Sequence, residues 1–258
     1  MKVILYILLA YLGLVLYAQA IANQSIFLKP KATYVDDQEI IKLKSPDGSI
    51  LSALYLKNPN AKYTILFSQG NYSEIGSVRP YLNYFYENGF SVFTYDYPGY
   101  GTSTGKPTET SVYHAINTAY AYLTKTLKIP PENIIAYGHS LGAAVSIDLA
   151  TRKKLAGLIL EAPFLSAYRV YTQIPLILFD KFNNAKKIKG IRSPLLIVHG
   201  TRDEIIPFWH GKSLYERATV PKMHYWVEGA SHNNVLIISG KEYMEKIHEF
   251  INYITPSS

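Results

Sequence analysis

Three short stretches of this chain hold residues that can together turn an alcohol into a nucleophile. They are Gly138-His139-Ser140-Leu141-Gly142, His199-Gly200-Thr201-Arg202-Asp203-Glu204 and Gly229-Ala230-Ser231-His232. A serine hydroxyl attacks poorly until a base removes its proton and a carboxylate orients that base. Gly-x-Ser-x-Gly alone is common by chance, so its flanks decide. Ile134-Ile135-Ala136-Tyr137 leads in as a short apolar run, and small and apolar residues continue at helical spacing through Ala150. That pattern predicts a strand, a very tight turn and a helix, the setting of a nucleophile elbow at Ser140. Gly138 and Gly142 lack the Cβ atoms that would block so sharp a turn. The backbone N–H of Leu141 opens the helix without an intrahelical acceptor and is free for a developing oxyanion.

The base must be chosen from seven histidines. His139 precedes the serine on the turn and is expected to face away from it. His199 ends an apolar run and reads as structural. His114, His210, His224 and His248 fall in expected helices or strands. His232 alone lies in a late loop just past a strand end and is the candidate base. The carboxylate should follow the preceding strand, where Asp203 is nearer the strand end and Glu204 is the alternative. Asp96 also ends a strand but precedes the serine, so it is assigned to holding its own loop. The second oxyanion donor is expected after Phe67, in Gln69-Gly70-Asn71, with the Asn71 N–H paired to that of Leu141 and the Tyr72 N–H as alternate.

These residues need a frame that brings strand ends together. Glu39–Lys44 and Ser49–Leu56 alternate apolar and polar residues around Ser45-Pro46-Asp47-Gly48, a hairpin pattern. Buried strands are expected at 63–67, 91–95, 158–160, 194–198 and 222–227. Helices are expected at 80–88, 108–127, 210–218 and 241–254. Strand–helix alternation over one 258-residue chain predicts an α/β fold with a mostly parallel central sheet, helices on both faces and a ligand site beyond the strands' carboxyl ends. Residues 164–193 interrupt the alternation for too long to be a plain connection. Their apolar content, from Phe164 and Leu165 through Phe182, reads as a short lid over an apolar pocket, against the simpler reading of a helix packed on the sheet.

Residues 1–22 form a separate segment ahead of a domain over 23–258. Val3 to Ala22 is almost unbroken apolar sequence, roughly the 20 residues that cross a bilayer. It reads either as an uncleaved anchor, with Tyr6, Tyr11 and Tyr17 suiting a membrane segment, or as an export signal cut near Ala18-Gln19-Ala20. The formal charge is +7, which leans toward an anionic surface such as a membrane face, or is simply a solvated basic surface. No basic helix is interleaved with stacking aromatics, so nucleic acid is not an expected partner. Cysteine is absent, which excludes disulfides, zinc thiolates and a cysteine nucleophile. The chemistry above calls for no metal and no cofactor.

Taken together, Phe67-Ser68-Gln69-Gly70-Asn71, Asp96-Tyr97-Pro98-Gly99-Tyr100-Gly101, Gly138-His139-Ser140-Leu141-Gly142, His199-Gly200-Thr201-Arg202-Asp203-Glu204 and Gly229-Ala230-Ser231-His232 resemble the α/β-hydrolase superfamily. The chain is more narrowly similar to its membrane-anchored, serine-aminopeptidase-like branch, whose relatives include protein depalmitoylases. The resemblance runs from about Gln24 to the last helix and implies Ser140 as nucleophile, Asp203 as acid and His232 as base. One position departs: the family has His-Gly before the oxyanion loop where this chain has Gln69-Gly70. The expected activity is hydrolysis of a carboxylic ester or thioester of an acylated or small-molecule substrate. A peptidase on the same triad, or a catalytically silent binding protein, is the alternative. Dehalogenase and epoxide-hydrolase chemistry would need a carboxylate where Ser140 stands.

Overall fold

The computed structural model describes residues 2–170, 172 and 180–255, with the side chains of residues 18–23 and 25 outside that set. Its centre is an eight-stranded sheet in the order β1-β2-β4-β3-β5-β6-β7-β8. The strands are β1 (Ile40–Lys44), β2 (Ile50–Leu56), β3 (Thr64–Ser68), β4 (Ser91–Tyr95), β5 (Ile134–His139), β6 (Gly157–Glu161), β7 (Leu195–Gly200) and β8 (Lys222–Val227). β1 and β2 form the expected hairpin, and β2 also runs antiparallel to β4. The pairings from β4 through β8 are all parallel. A parallel sheet buries both faces, which is why β3, β4 and β6 read as continuous apolar runs and are buried throughout.

Helices cover both faces. On one side α3 (Glu109–Ala121) and α4 (Leu141–Arg152) build a core with Leu66, Phe93, Ala136 and Leu160. On the other, α2 (Ile75–Glu87) and the final helix (Lys241–Ile254) pack on Ile65, Phe67, Tyr137 and Ile159. The alternation of these strand residues between the two cores is the period-two pleat made visible. α2 begins five residues before the expected start at residue 80, and Pro80 lies inside it. The reason is a capping box: the Glu74 carboxylate accepts from the N–H groups of Gly76 and Ser77, while the Ser77 hydroxyl accepts from the Glu74 N–H. Proline was read as a helix start, whereas the cap upstream sets it.

The lid expectation over 164–193 falls partly outside the described residues, since Tyr171 and residues 173–179 are not among them. Of the described part, Phe182, Ile188 and Ile191 are buried in the core beside α4, and α5 (Asn184–Lys187) is a single turn. Phe164, Ala167 and Val170 instead line a cavity at the strand ends.

The N-terminal segment is one helix, α1 (Lys2–Ile26), of 25 residues. Its described side chains are apolar, and most are exposed: Leu5, Leu8, Leu9, Leu12 and Leu16 among them. The expected spanning length is not met, because among the described residues no helix is long and apolar enough to cross a membrane. The described apolar side chains run from Val3 to Tyr17, which rises about 22 Å against the roughly 30 Å of a hydrocarbon core. The candidate cleavage site Ala18-Gln19-Ala20 lies among the side chains outside the described set.

Gly142 is where helix and sheet approach most closely. A Cβ there would overlap the carbonyl oxygens of Ser68 and Gln69 at the end of β3. Neither carbonyl can move without tearing the sheet, so Gly142→Ala is expected to destabilise the protein by about 3 kcal/mol or more. Urea melts of the two proteins test this, and a midpoint equal to the parent's would refute the close-packing account.

Candidate active site

Ser140 connects β5 to α4 and has φ 54 and ψ −114, outside the regions open to ordinary L-residues. Holding a serine there costs about 1–3 kcal/mol and needs a frame that over-determines it. The frame is visible. The Ser140 N–H donates to the Glu161 carbonyl at 2.9 Å, and the Ser140 carbonyl accepts from Ala143 N at 3.0 Å. A Cβ on Gly138 would collide with the backbone of Gly142 and Ala143, so glycine is required on both sides of the turn. Leu141 is the first residue of α4 and is buried at 3% exposure, leaving its N–H without an intrahelical acceptor.

Asp203 follows β7 and His232 follows β8, and the sheet order places these loops beside the elbow. His232 Nδ1 is 2.8 Å from Asp203 Oδ2. A carboxylate only accepts, so Nδ1 carries the proton and Nε2 keeps its lone pair. Asp203 Oδ1 accepts from the N–H groups of Ile205 and Ile206 at 2.9 and 2.7 Å. His199 Nε2 lies 3.3 Å from Oδ2 as well. Burial alone would raise the Asp203 carboxyl, but the hydrogen bonds from His199 and His232 outweigh it and hold it well below the usual carboxylate range. Glu204, the alternative acid, is exposed.

Ser140, His232, Leu141 and Asn71 line one cavity of about 410 Å³. Its remaining walls are largely apolar and include Ile26, Leu28, Phe164, Val170, Ile205 and Ile206. Asn71 is anchored through its side chain, whose Oδ1 accepts from the Leu28 N–H at 3.1 Å and the Tyr100 hydroxyl at 2.9 Å. Tyr72 reaches the same cavity from a position 73% exposed.

Two expectations change. His139 does not face away: it lines the cavity with Ser140, and its ring centroid lies 5.1 Å from that of His232. The chain turns so sharply at Ser140 that the residue before it stays at the rim. Asp96 holds more than its own loop. It is fully buried and accepts from Gln69 Nε2 at 3.0 Å, from the Ile75 N–H at 2.9 Å and from the Tyr34 hydroxyl at 2.5 Å. Three separate segments therefore meet on one carboxylate. Gln69, standing where the family has histidine, spends its amide N–H on Asp96, accepts from Thr94 Oγ1 at 3.2 Å through Oε1, and gives its backbone carbonyl to the Tyr97 hydroxyl. Sequence reasoning also passed over Glu161, a buried carboxylate at the end of β6, because it sits in no motif.

A mostly parallel sheet covered on both faces, with a strained serine between a strand and a helix at its carboxyl edge, defines the α/β-hydrolase fold. Solved structures agree. An esterase from Pyrococcus furiosus superposes with a TM-score of 0.72 at 18% identity, covering 87% of this chain and 98% of its own. An esterase from Exiguobacterium antarcticum does so with a TM-score of 0.65 at 14% identity, covering 82% and 98%. In sequence, the family described as Serine aminopeptidase, S33 matches residues 59–189, a stretch that includes Asn71 and Ser140 and ends before Asp203. The human alpha/beta hydrolase domain-containing protein 17B is 40% identical over 221 residues, 84% of this chain and 76% of its own length. The alpha/beta hydrolase domain-containing protein 17C of Xenopus tropicalis is 37% identical over 228 residues, 87% and 73% respectively. The chain belongs to the α/β-hydrolase family and is a hydrolase.

Burial pushes the Asp96 carboxyl up to about 7 from 3.8, against the hydrogen bonds from Tyr34, Ile75 and Gln69. The folded state then holds this proton more tightly than the unfolded chain, so its contribution to stability is present below about pH 4 and lost as pH rises to about 7. Asp96→Asn keeps an acceptor for Ile75 and Gln69 but cannot ionise. Urea midpoints measured across that window are expected to fall less steeply with pH in the variant; parallel slopes would contradict the assignment.

Proposed function

We propose that the protein cleaves a carboxylic ester or thioester through a Ser-His-Asp acyl-enzyme mechanism. The observation that carries this reading is the 2.8 Å bond between His232 Nδ1 and Asp203 Oδ2 at the edge of a cavity that His232 shares with Ser140. With Nδ1 protonated and tied to Asp203, Nε2 is the basic nitrogen. It takes the Ser140 proton as Oγ attacks the carbonyl carbon, and it returns that proton to the departing alcohol or thiol. Water then repeats the sequence, with its proton taken by His232 and passed to Ser140 Oγ as the acyl group leaves. The N–H groups of Leu141 and Asn71 hold the oxyanion, and one such donor is typically worth about 3 kcal/mol.

The apolar walls from Ile26, Leu28, Phe164 and Val170 suit the acyl side of the substrate, and the segment from Phe164 to Val170 serves as one edge of a lid. The peptidase alternative needs an anionic partner for a free amino terminus, whereas the cavity walls offer alkyl groups, hydroxyls, an amide and imidazoles. Ser140→Ala is expected to abolish turnover of a short p-nitrophenyl ester and labelling by a fluorophosphonate. Asp203→Asn should lower kcat by about 10³–10⁴. Retained labelling of the alanine variant would overturn the assignment, and faster turnover of peptides than of acyl esters would select the peptidase.

The reading extends to the N-terminal helix, which we propose associates with a lipid bilayer. A helix with leucines exposed on every side, Leu5, Leu8, Leu12 and Leu16 included, exposes far more apolar surface than water tolerates in one patch. Flotation of the full chain with phosphatidylcholine vesicles tests it. Leu8→Glu with Leu12→Glu should cut the bound fraction at least about tenfold, and equal flotation of both proteins would rule the helix out as the membrane contact.

A further inference from the structure

His139 occupies a position that the proposed mechanism leaves unused. It is the last residue of β5 and the immediate neighbour of Ser140. Its Nε2 lies 3.3 Å from the backbone carbonyl of His232, a residue 93 positions away. The same nitrogen lies 3.8 Å from Glu161 Oε1. A carbonyl can only accept, so Nε2 carries the hydrogen, and the carboxylate beside it favours the same tautomer. Nδ1 then faces Gly70 as an acceptor, at 3.0 Å from where a Cβ on that glycine would stand.

Glu161 is itself held rigidly. It is 1% exposed, and its Oε2 accepts from the hydroxyls of Tyr137 and Tyr243, each at 2.5 Å. Its backbone carbonyl receives the Ser140 N–H. One residue therefore grips the elbow twice, by its main chain at the serine and by its side chain at the histidine before it.

The loop that bears His232 is otherwise fastened to its own side of the molecule. Ala230 N donates to Val227 O, Arg202 N to Ala230 O, Gly229 N to Thr201 Oγ1 and Ser231 N to Asn234 Oδ1. Those bonds fix the loop against β7 and β8, and they leave its distance to the elbow to be set by something else. We propose that His139 is a positioning residue for the base: its Nε2–H, held between the Glu161 carboxylate and the His232 carbonyl, ties the loop of the base to the turn of the nucleophile. The inference rests on the Ser140–His232 reading and deepens it. Two groups that must meet within hydrogen-bond reach come from separate loops, and a misplacement of about 1 Å can cost about 100-fold in rate.

The test compares His139→Phe, which keeps a flat ring and loses the donor, with His139→Gln, whose amide N–H can reach the same carbonyl. On a p-nitrophenyl ester the phenylalanine variant should lose about 10- to 100-fold in kcat with KM within about twofold, and fluorophosphonate labelling should slow in parallel. The glutamine variant should recover most of that loss. Phenylalanine acting as well as histidine would show that the ring only fills space and would overturn the proposal. A raised KM at unchanged kcat would make His139 a substrate contact and overturn it equally. If the phenylalanine variant does not fold, Glu161→Gln in the same assays replaces it. This variant keeps acceptors for both tyrosines and removes the charge beside Nε2, so a lower kcat is expected and an unchanged one would overturn the proposal. Complete loss of labelling in Ser140→Ala serves as the separate control, since labelling retained there indicts the nucleophile and not His139.

Discussion

The contact on which the structure turns is the one between α4 and the ends of β3 and β5, made possible by two missing side chains. Gly142 lies against the carbonyls of Ser68 and Gln69, and Gly138 lies against the backbone of Gly142 and Ala143. That approach lets a buried helix rise directly from a strand end and forces Ser140 to a positive φ. The strain at one residue is balanced by ten consecutive buried residues of α4, Leu141 to Ala150, each contributing packing that a looser turn would forfeit. The serine is presented because the helix behind it cannot lie anywhere else.

Three buried carboxylates then organise the carboxyl edge of the sheet, each by a different set of donors. Asp96 gathers the N-terminal connector through Tyr34, the start of α2 through Ile75, and the loop after β3 through Gln69. Glu161 joins β5 to the last helix through Tyr137 and Tyr243. Asp203 takes two backbone N–H groups and the His232 imidazole. A buried anion is costly unless its acceptors are filled, and here the filling groups come from distant parts of the chain. The same bonds that make burial tolerable therefore fix the loops around the cavity. The donors also distinguish them: imidazoles and amides hold Asp203 low, while Asp96, with tyrosine and amide donors and deeper burial, rises to about 7.

The N-terminal helix is not separate from this edge. Ile26, its last residue, and Leu28 just beyond it form part of the cavity wall, and the Leu28 N–H donates to Asn71 on the proposed oxyanion loop. Whatever surface the exposed leucines of α1 rest on lies at the entrance side of the cavity, so position on a bilayer and access to the site are geometrically linked.

Much of this was legible in the residues. Apolar runs of strand length, helical spacing between them and glycine-flanked Ser140 determine an α/β fold with a nucleophile turn, because periodicity and the need for a missing Cβ are local properties. The order Ser140, Asp203, His232 and the greater reach of Asp203 over Glu204 also follow from strand ends and side-chain length. Local patterns could not tell that α2 starts at a Glu74–Ser77 cap instead of at Pro80. Nor could they show that His139 turns into the cavity, or that Glu161 and Asp96 each bind segments far away in the chain. Those facts depend on which loops the sheet order 1-2-4-3-5-6-7-8 makes neighbours. Hydrogen bonds across 62, 82 or 93 positions leave no trace in spacing, so the tertiary structure alone decided them.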